Sequence, residues 1–174
     1  LHNWTNHLPW WCCEVMSWMV EHIENLGNRD AIVDKFGTFS YECLHRQIRR
    51  YKEELDKSVP DSQVVAILSD YNFYAVALFL ALFEKKAVIV PIVSKHREEV
   101  KKRTTVANCR YLIELDESII DIEEVESVEL HPMVSSLTKS NQAGLVLFSS
   151  GSTGEPKAMI HNLENLVSSY QGKK

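Results

Sequence analysis

The stretch "LVLFSSGSTGEPKAMIH", Leu145 to His161, decides how this chain is read. Apolar residues from Leu145 to Phe148 run straight into a segment made almost wholly of Gly, Ser, Thr, Pro and charge, and a second short apolar run follows. Gly151 and Gly154 carry no side chain, so backbone N–H groups there are free to turn inward and an anion can come close. Ser149, Ser150, Ser152 and Thr153 supply hydroxyl donors that can follow a row of phosphate oxygens. Lys157 adds a mobile positive charge, Pro156 stiffens the exit, and Glu155 alone opposes. Such a set of donors suits a polyphosphate.

The more familiar phosphate and nucleophile motifs do not fit. A Walker A loop needs Lys and then Ser or Thr directly after its second Gly, whereas Gly154 is followed by Glu155, Pro156 and Lys157. The Gly-x-Ser-x-Gly order of a nucleophile elbow is absent. At the loop Ser-x-x-Lys is absent as well, because Gly154 stands three residues before Lys157. A Rossmann fingerprint does not fit either.

Outward from the loop, the chain alternates strands and helices. "VVAIL" (Val64 to Leu68) and "AVIVPIV" (Ala87 to Val93) are continuous apolar runs, as in strands covered on both faces. Between them lies a helix over Tyr71 to Phe83, apolar all round and so expected to be buried, with Ser69 and Asp70 as its caps. Strand, helix, strand predicts a parallel βαβ unit. Upstream, Trp11, Val15, Trp18, Met19, Ile23 and Leu26 recur at helical spacing up to Gly27. Ala31–Asp34 and Thr38–Phe39 form two short strands, and Ser40 caps a helix whose apolar face is Leu44, Ile48, Tyr51 and Leu55. Residues 94–107 read as a charged helix and Arg110–Leu115 as a strand. Asp116–Glu129, rich in acid, reads as a solvated surface segment. "GLVLF" is the strand before the loop, "AMIH" has strand character after it, and Asn162 caps a closing helix.

Bulk composition narrows the function. The chain has 174 residues, 19 Lys and Arg against 24 Asp and Glu, and a net charge of −5, which argues against a dedicated nucleic-acid binder. The basic run "KHREEVKKR" is interleaved with Glu98 and Glu99 and reads as a solvated helix face. The histidines show no metal-like spacing, so no metal site is expected. Cys12, Cys13, Cys43 and Cys109 have no CxxC spacing and read as reduced, cytoplasmic thiols. The longest apolar window, "YAVALFLALF", is about half of what a bilayer crossing requires. The cluster Trp4, Trp10, Trp11 and Trp18 reads as the packed face of the first helix.

"SSGSTGEPK" resembles the signature of the adenylate-forming enzymes, which comprise acyl-CoA synthetases, luciferase-like ligases and peptide-synthetase adenylation domains. That signature is an apolar strand, then Ser/Thr-Ser-Gly-Ser/Thr-Thr-Gly, a variable residue, Pro and Lys. Phe148 through Lys157 match it position by position, and "GTFSYECLHRQIRRYKEEL" and "VVAILSDYNFYAVALFLALFEKKAVIVPIV" resemble the family's preceding segments. The chain departs from the pattern at three places, four residues in all. Lys85-Lys86 stands where the family usually has Ala-Gly, Ala158 replaces a Gly, and Leu163 takes the place of a His.

The resemblance implies an α/β fold with a mixed, largely parallel sheet flanked by helices. It implies that residues 1–174 are the N-terminal portion of an AMP-binding domain, with the later parts absent. The implied reaction is attack of a substrate carboxylate on ATP, with Mg2+, giving an acyl-adenylate and pyrophosphate. A thiol of CoA or of a carrier-protein phosphopantetheine then takes the acyl group. Ser149, Ser150, Gly151, Ser152, Thr153, Gly154 and Lys157 would bind the phosphates, Lys157 with the catalytic role. The alternative is a nucleotide-binding or interaction module that does not complete catalysis.

Overall fold

A computed structural model describes residues 19–94, 96–126, 129–150 and 156–170. The described chain begins in helix, residues 19–25 (α1), and turns at Gly27, whose φ of 56° is left-handed. A hairpin follows, β1 (Asp30–Asp34) with β2 (Gly37–Ser40), then α2 (Tyr41–Leu55). The Ser40 hydroxyl accepts from the Cys43 N–H at 3.2 Å, so the expected cap is in place, and Leu44, Ile48, Tyr51 and Leu55 are its buried face.

The central sheet contains β3 (Val64–Leu68), β4 (Val88–Ile92), β5 (Tyr111–Asp116), β6 (Ile119–Glu124), β7 (Gly144–Ser150) and β8 (Pro156–Asn162). Its order is β6-β5-β3-β4-β7-β8. The pairs β5–β3, β3–β4 and β4–β7 are parallel, and the outer pairs β6–β5 and β7–β8 are antiparallel. The sheet is therefore mixed with a parallel centre, as the sequence predicts. Between strands run α3 (Phe73–Glu84), α4 (Arg97–Val106) and α5 (Pro132–Lys139), and α6 (Leu163–Ser168) follows β8.

Alternation along the strands divides the core in two. Val65, Ile67, Ile89 and Ile113 pack with α2 and α3, while Val64, Ala66, Val88, Val90 and Leu112 pack with Val100 of α4 and Val134 of α5. Helices thus cover both faces of the parallel centre, which is why its strands read as unbroken apolar runs.

Three expectations need correction. First, α3 starts at Phe73 with Asn72 as its cap, the side-chain Oδ1 of Asn72 accepting from Ala75 N–H at 2.9 Å. Ser69 instead prolongs the strand, its N–H donating to Ile92 O at 3.2 Å. The Asp34 carboxylate also reaches this helix start, accepting from Phe73 N–H at 2.7 Å. Second, α3 is not buried all round, since Val76 is exposed and Tyr71 beside it is 80% exposed. Third, the acidic segment 116–129 contains β6, whose Ile120 is buried against the core. The acids Asp121, Glu123 and Glu124 lie on this edge strand, where charge discourages pairing with another chain. Helix α5, opened by Pro132 at its first turn, is an element that hydrophobic patterning did not bring out.

Candidate functional site

The loop sits at the tip of the β7–β8 hairpin. Strand β7 ends at Ser150 and β8 begins at Pro156, and Ser149 lies directly opposite Lys157 in the antiparallel register. Opposed residues in such a pair share a face. The period of two puts Leu145, Leu147 and Ser149 of β7 and Lys157, Met159 and His161 of β8 on one face of the hairpin, with Val146, Phe148, Ala158 and Ile160 on the other. Ser149 and Lys157 are both exposed. Two of the predicted phosphate-binding side chains are thus brought together at one point, open to solvent. Gly151, Ser152, Thr153 and Gly154 lie outside the described residues, and of Ser150 only the backbone is described.

The far end of β7 parts from β4 for a covalent reason. Ala87 O accepts from Gly144 N–H at 3.1 Å, so Ala87 faces β7, and by alternation so do Ile89 and Pro91. Pro91 has no N–H to offer. Parallel pairing with β7 accordingly comprises Val88↔Gly144 and Ile89↔Leu145 and goes no further, while β7 stays paired to β8 as far as Ser150. Beside the divergence lies an apolar cavity of about 280 Å³, lined in part by Ile67, Phe79, Leu80, Pro91, Leu145 and Leu147. A proline inside an otherwise apolar strand was the sequence signal for this divergence.

The base of the hairpin is held far more firmly. Glu164 Oε1 accepts from the Ala143 N–H at 3.2 Å and from Lys86 Nζ at 2.8 Å, with the Lys86 and Glu164 side chains only 14% and 6% exposed. Leu163 N–H donates to Ala143 O at 2.9 Å, and Asn162 Nδ2 donates to Gln142 Oε1 at 3.0 Å. Gly144 is packed so closely that an added Cβ would lie 2.8 Å from Leu137 Cδ1 and 3.1 Å from Val88 Cγ2. Lys86 keeps a φ of 57°, a left-handed turn that a glycine adopts without strain. The Lys-Lys departure therefore leaves the turn intact and adds a buried ion pair tied to β7. Nothing local in the sequence marks Glu164 as its partner.

Other candidates resolve plainly. Cys109 is 1% exposed and burial pushes its thiol up to about 12, which removes it as a nucleophile; Cys43 and Cys109 are both free. Among the described residues no group of His, Cys, Asp and Glu could hold a metal ion, and no helix is long and apolar enough to cross a membrane. Helix α4 pairs its charges within the chain, Arg97 with Glu114 at 3.0 Å and Arg103 with Glu99. The tryptophan cluster, Cys12 and Cys13 lie outside the described residues.

Comparison with known proteins gives the same frame. The profile of the AMP-binding enzyme family matches residues 19–174, and the chain belongs to that family. It is similar to cyclo-acetoacetyl-L-tryptophan synthase of Aspergillus oryzae, 27% identical over 172 residues, covering 91% of this chain and 4% of that enzyme. Among solved structures it is similar to the N-terminal subdomain of Klebsiella oxytoca NpsA, with a TM-score of 0.64 and 22% identity over 86% of this chain and 42% of that one. NpsA–ThdA, an artificially fused adenylation–PCP di-domain from the same organism, matches with a TM-score of 0.61 and 23% identity, over 85% of this chain and 32% of that one. At these identities the solved structures establish the fold. The chain spans a small part of the curated relative's length and less than half of either solved chain.

Proposed function

We propose that the polypeptide containing this chain activates a carboxylic acid with ATP, and that residues 1–174 supply the N-terminal portion of its AMP-binding domain with the phosphate-binding loop. A carboxylate oxygen attacks the α-phosphorus, the bond from that phosphorus to the bridging oxygen of the β-phosphate breaks, and pyrophosphate leaves with the electron pair. A thiol sulfur, losing its proton, then attacks the acyl carbon of the acyl-adenylate, the bond from that carbon to the phosphate oxygen breaks, and AMP leaves with the electron pair as the thioester forms. The adenylation–PCP arrangement of NpsA–ThdA supports a carrier-protein phosphopantetheine as that thiol, with CoA the other acceptor of the same chemistry.

The observation that carries this reading is the pairing of Ser149 with Lys157 at the exposed tip of a hairpin, in a chain of this family. Seryl hydroxyls, backbone N–H groups of a glycine-containing loop and one ammonium are donors without a competing acceptor except Glu155. Their work is to hold the β- and γ-phosphates and to stabilise charge as it builds on the departing pyrophosphate. Ser150, Gly151, Ser152, Thr153 and Gly154 belong to that set in this proposal. No cluster among the described residues would cage Mg2+. No step is assigned to the ion, which the family implies.

Lys157→Ala in the full-length polypeptide tests the reading. Loss of one such donor lowers a rate by about 10²–10³. ATP–pyrophosphate exchange should fall on that order while ATP binding weakens much less, since the hydroxyls and backbone donors remain. A variant as fast as wild type would overturn the clamp. A wild-type protein that binds ATP but exchanges pyrophosphate with no carboxylic acid would support the non-catalytic module instead.

A further inference from the structure

We propose that Arg103 is a positioning residue for the loop, acting through Phe148; the proposal rests on the phosphate-binding reading of that loop. Arg103 lies in the last turn of α4, with its side chain 24% exposed and its guanidinium carbon 5.5 Å from the centroid of the Phe148 ring. Phe148 sits immediately before Ser149, in the part of β7 that has left β4 and is paired with β8 alone. Its cross-strand neighbour is Ala158, too small to cover a ring. The guanidinium therefore gives the departing strand a contact from the α4 side.

Arg103 is itself fixed. It is paired with Glu99 one turn earlier, and the other Glu99 oxygen accepts from the Ser94 hydroxyl at 2.7 Å. Ser94 Oγ in turn accepts from His96 N–H at 3.1 Å. The Ser94 hydrogen bond, and after it the charge of Arg103, hold the Glu99 carboxyl below its ordinary value. A buried apolar side chain would have met the needs of packing alone. Arginine adds a planar cation that lies against the aromatic ring and, among the described residues, leaves its buried Nε without a partner.

The test uses the full-length polypeptide and the kinetics of ATP–pyrophosphate exchange. Arg103→Met should raise KM for MgATP by about three- to tenfold, the size of a partly desolvated cation–π contact, with kcat within about twofold. Arg103→Lys should recover part of this, because an ammonium keeps the charge and loses the planar face. Phe148→Leu should raise KM similarly, and the double variant should be no worse than either single one, as expected if one contact is removed twice. Unchanged KM, or kcat, KM and melting temperature all worsening together, would overturn the proposal. If Arg103→Met does not fold, Arg103→Lys and Phe148→Leu decide it by the same readout. Lys157→Ala serves as the reference. If it changes exchange while the Arg103 variants do not, only the positioning role is lost. If Lys157→Ala is also silent, the phosphate reading itself fails.

Discussion

The two ends of one hairpin are built on opposite principles. At the base, Ala143, Gly144 and Asn162 are tied to Glu164, Lys86, Leu163 and Gln142, and Gly144 has no room for a methyl group. At the tip, Ser149 and Lys157 face each other in solvent, and Pro91 has ended the contact with the rest of the sheet. On the proposed reading, Ser149 and Lys157 must be presented on one face of the hairpin, and that requires a base that does not slip. In a strand pair, a slip of one residue would turn Ser149 and Lys157 to the other face. The base holds that register. Changes at the base should thus register as lost stability, and changes at the tip as lost kinetics.

The largest effect should come from Lys86→Met. Among the described residues it leaves the buried Glu164 carboxylate with the Ala143 N–H alone, and breaking a buried pair from one side costs about 3–5 kcal/mol. Urea unfolding should show a loss of that size. Lys86→Gly combined with Glu164→Gln should recover most of it, because glycine adopts the left-handed turn and the amide oxygen still accepts from Ala143. If Lys86→Met alone were as stable as wild type, the distinction between base and tip would break.

Gly144→Ala comes next. Its methyl would press on Leu137 and Val88, and overpacking of this kind costs about 1–3 kcal/mol. Leu137→Ala in the same chain should relieve part of the cost, since Leu137 Cδ1 is the nearest atom. Asn162→Ala should cost about 1 kcal/mol, because Asn162 caps α6 through the Asn165 N–H at 3.0 Å and also holds Gln142. In both variants KM for ATP should stay near wild type once the protein is folded, and a selective rise in KM would show that base and tip are coupled.

How much of this was legible follows from where the information resides. The parallel centre was readable because strands covered on both faces must be apolar throughout, and VVAIL and AVIVPIV show that directly. The caps Ser40 and Asn162 were readable because each bonds a backbone group three residues away. Asn72 was missed because Ser69 and Asp70 are equally good capping residues, and the choice was made by Ser69 pairing with Ile92, far along the chain. Strand β6 was hidden because counting acids along 116–129 outweighed the alternation of Ile120 and Ile122. The loop was conspicuous through its donors, and Ser149 stands opposite Lys157 in the β7–β8 register. The Lys86–Glu164 pair bridges distant segments, and no local pattern announces a contact of that range.

The smallest prediction separates two neighbouring lysines. Lys85 is 5% exposed, like Lys86 a nearly buried cation, but it bonds Asp56 at 2.6 Å and Asp61 at 2.7 Å, whose side chains are 53% and 70% exposed. Removing Lys85 therefore strands no buried charge, and Lys85→Met should cost under about 1 kcal/mol, as for pairs open to water. The pH dependence of that small gap has a definite sign. Burial pulls the Lys85 pKa down, but its bonds to Asp56 and Asp61 outweigh this and leave it above the ordinary 10.5. Its contribution is present below that value and disappears as pH rises through the folded pKa. The bond from Lys85 holds the Asp56 carboxyl below the ordinary 3.8, so its contribution is present above that value and disappears as pH falls through the folded pKa. The stability gap between wild type and Lys85→Met should be flat between about pH 5 and pH 9 and should shrink only outside those limits. A gap that varied within that window would mean that another titrating group governs this corner, and that Lys85 and Lys86 do not act separately.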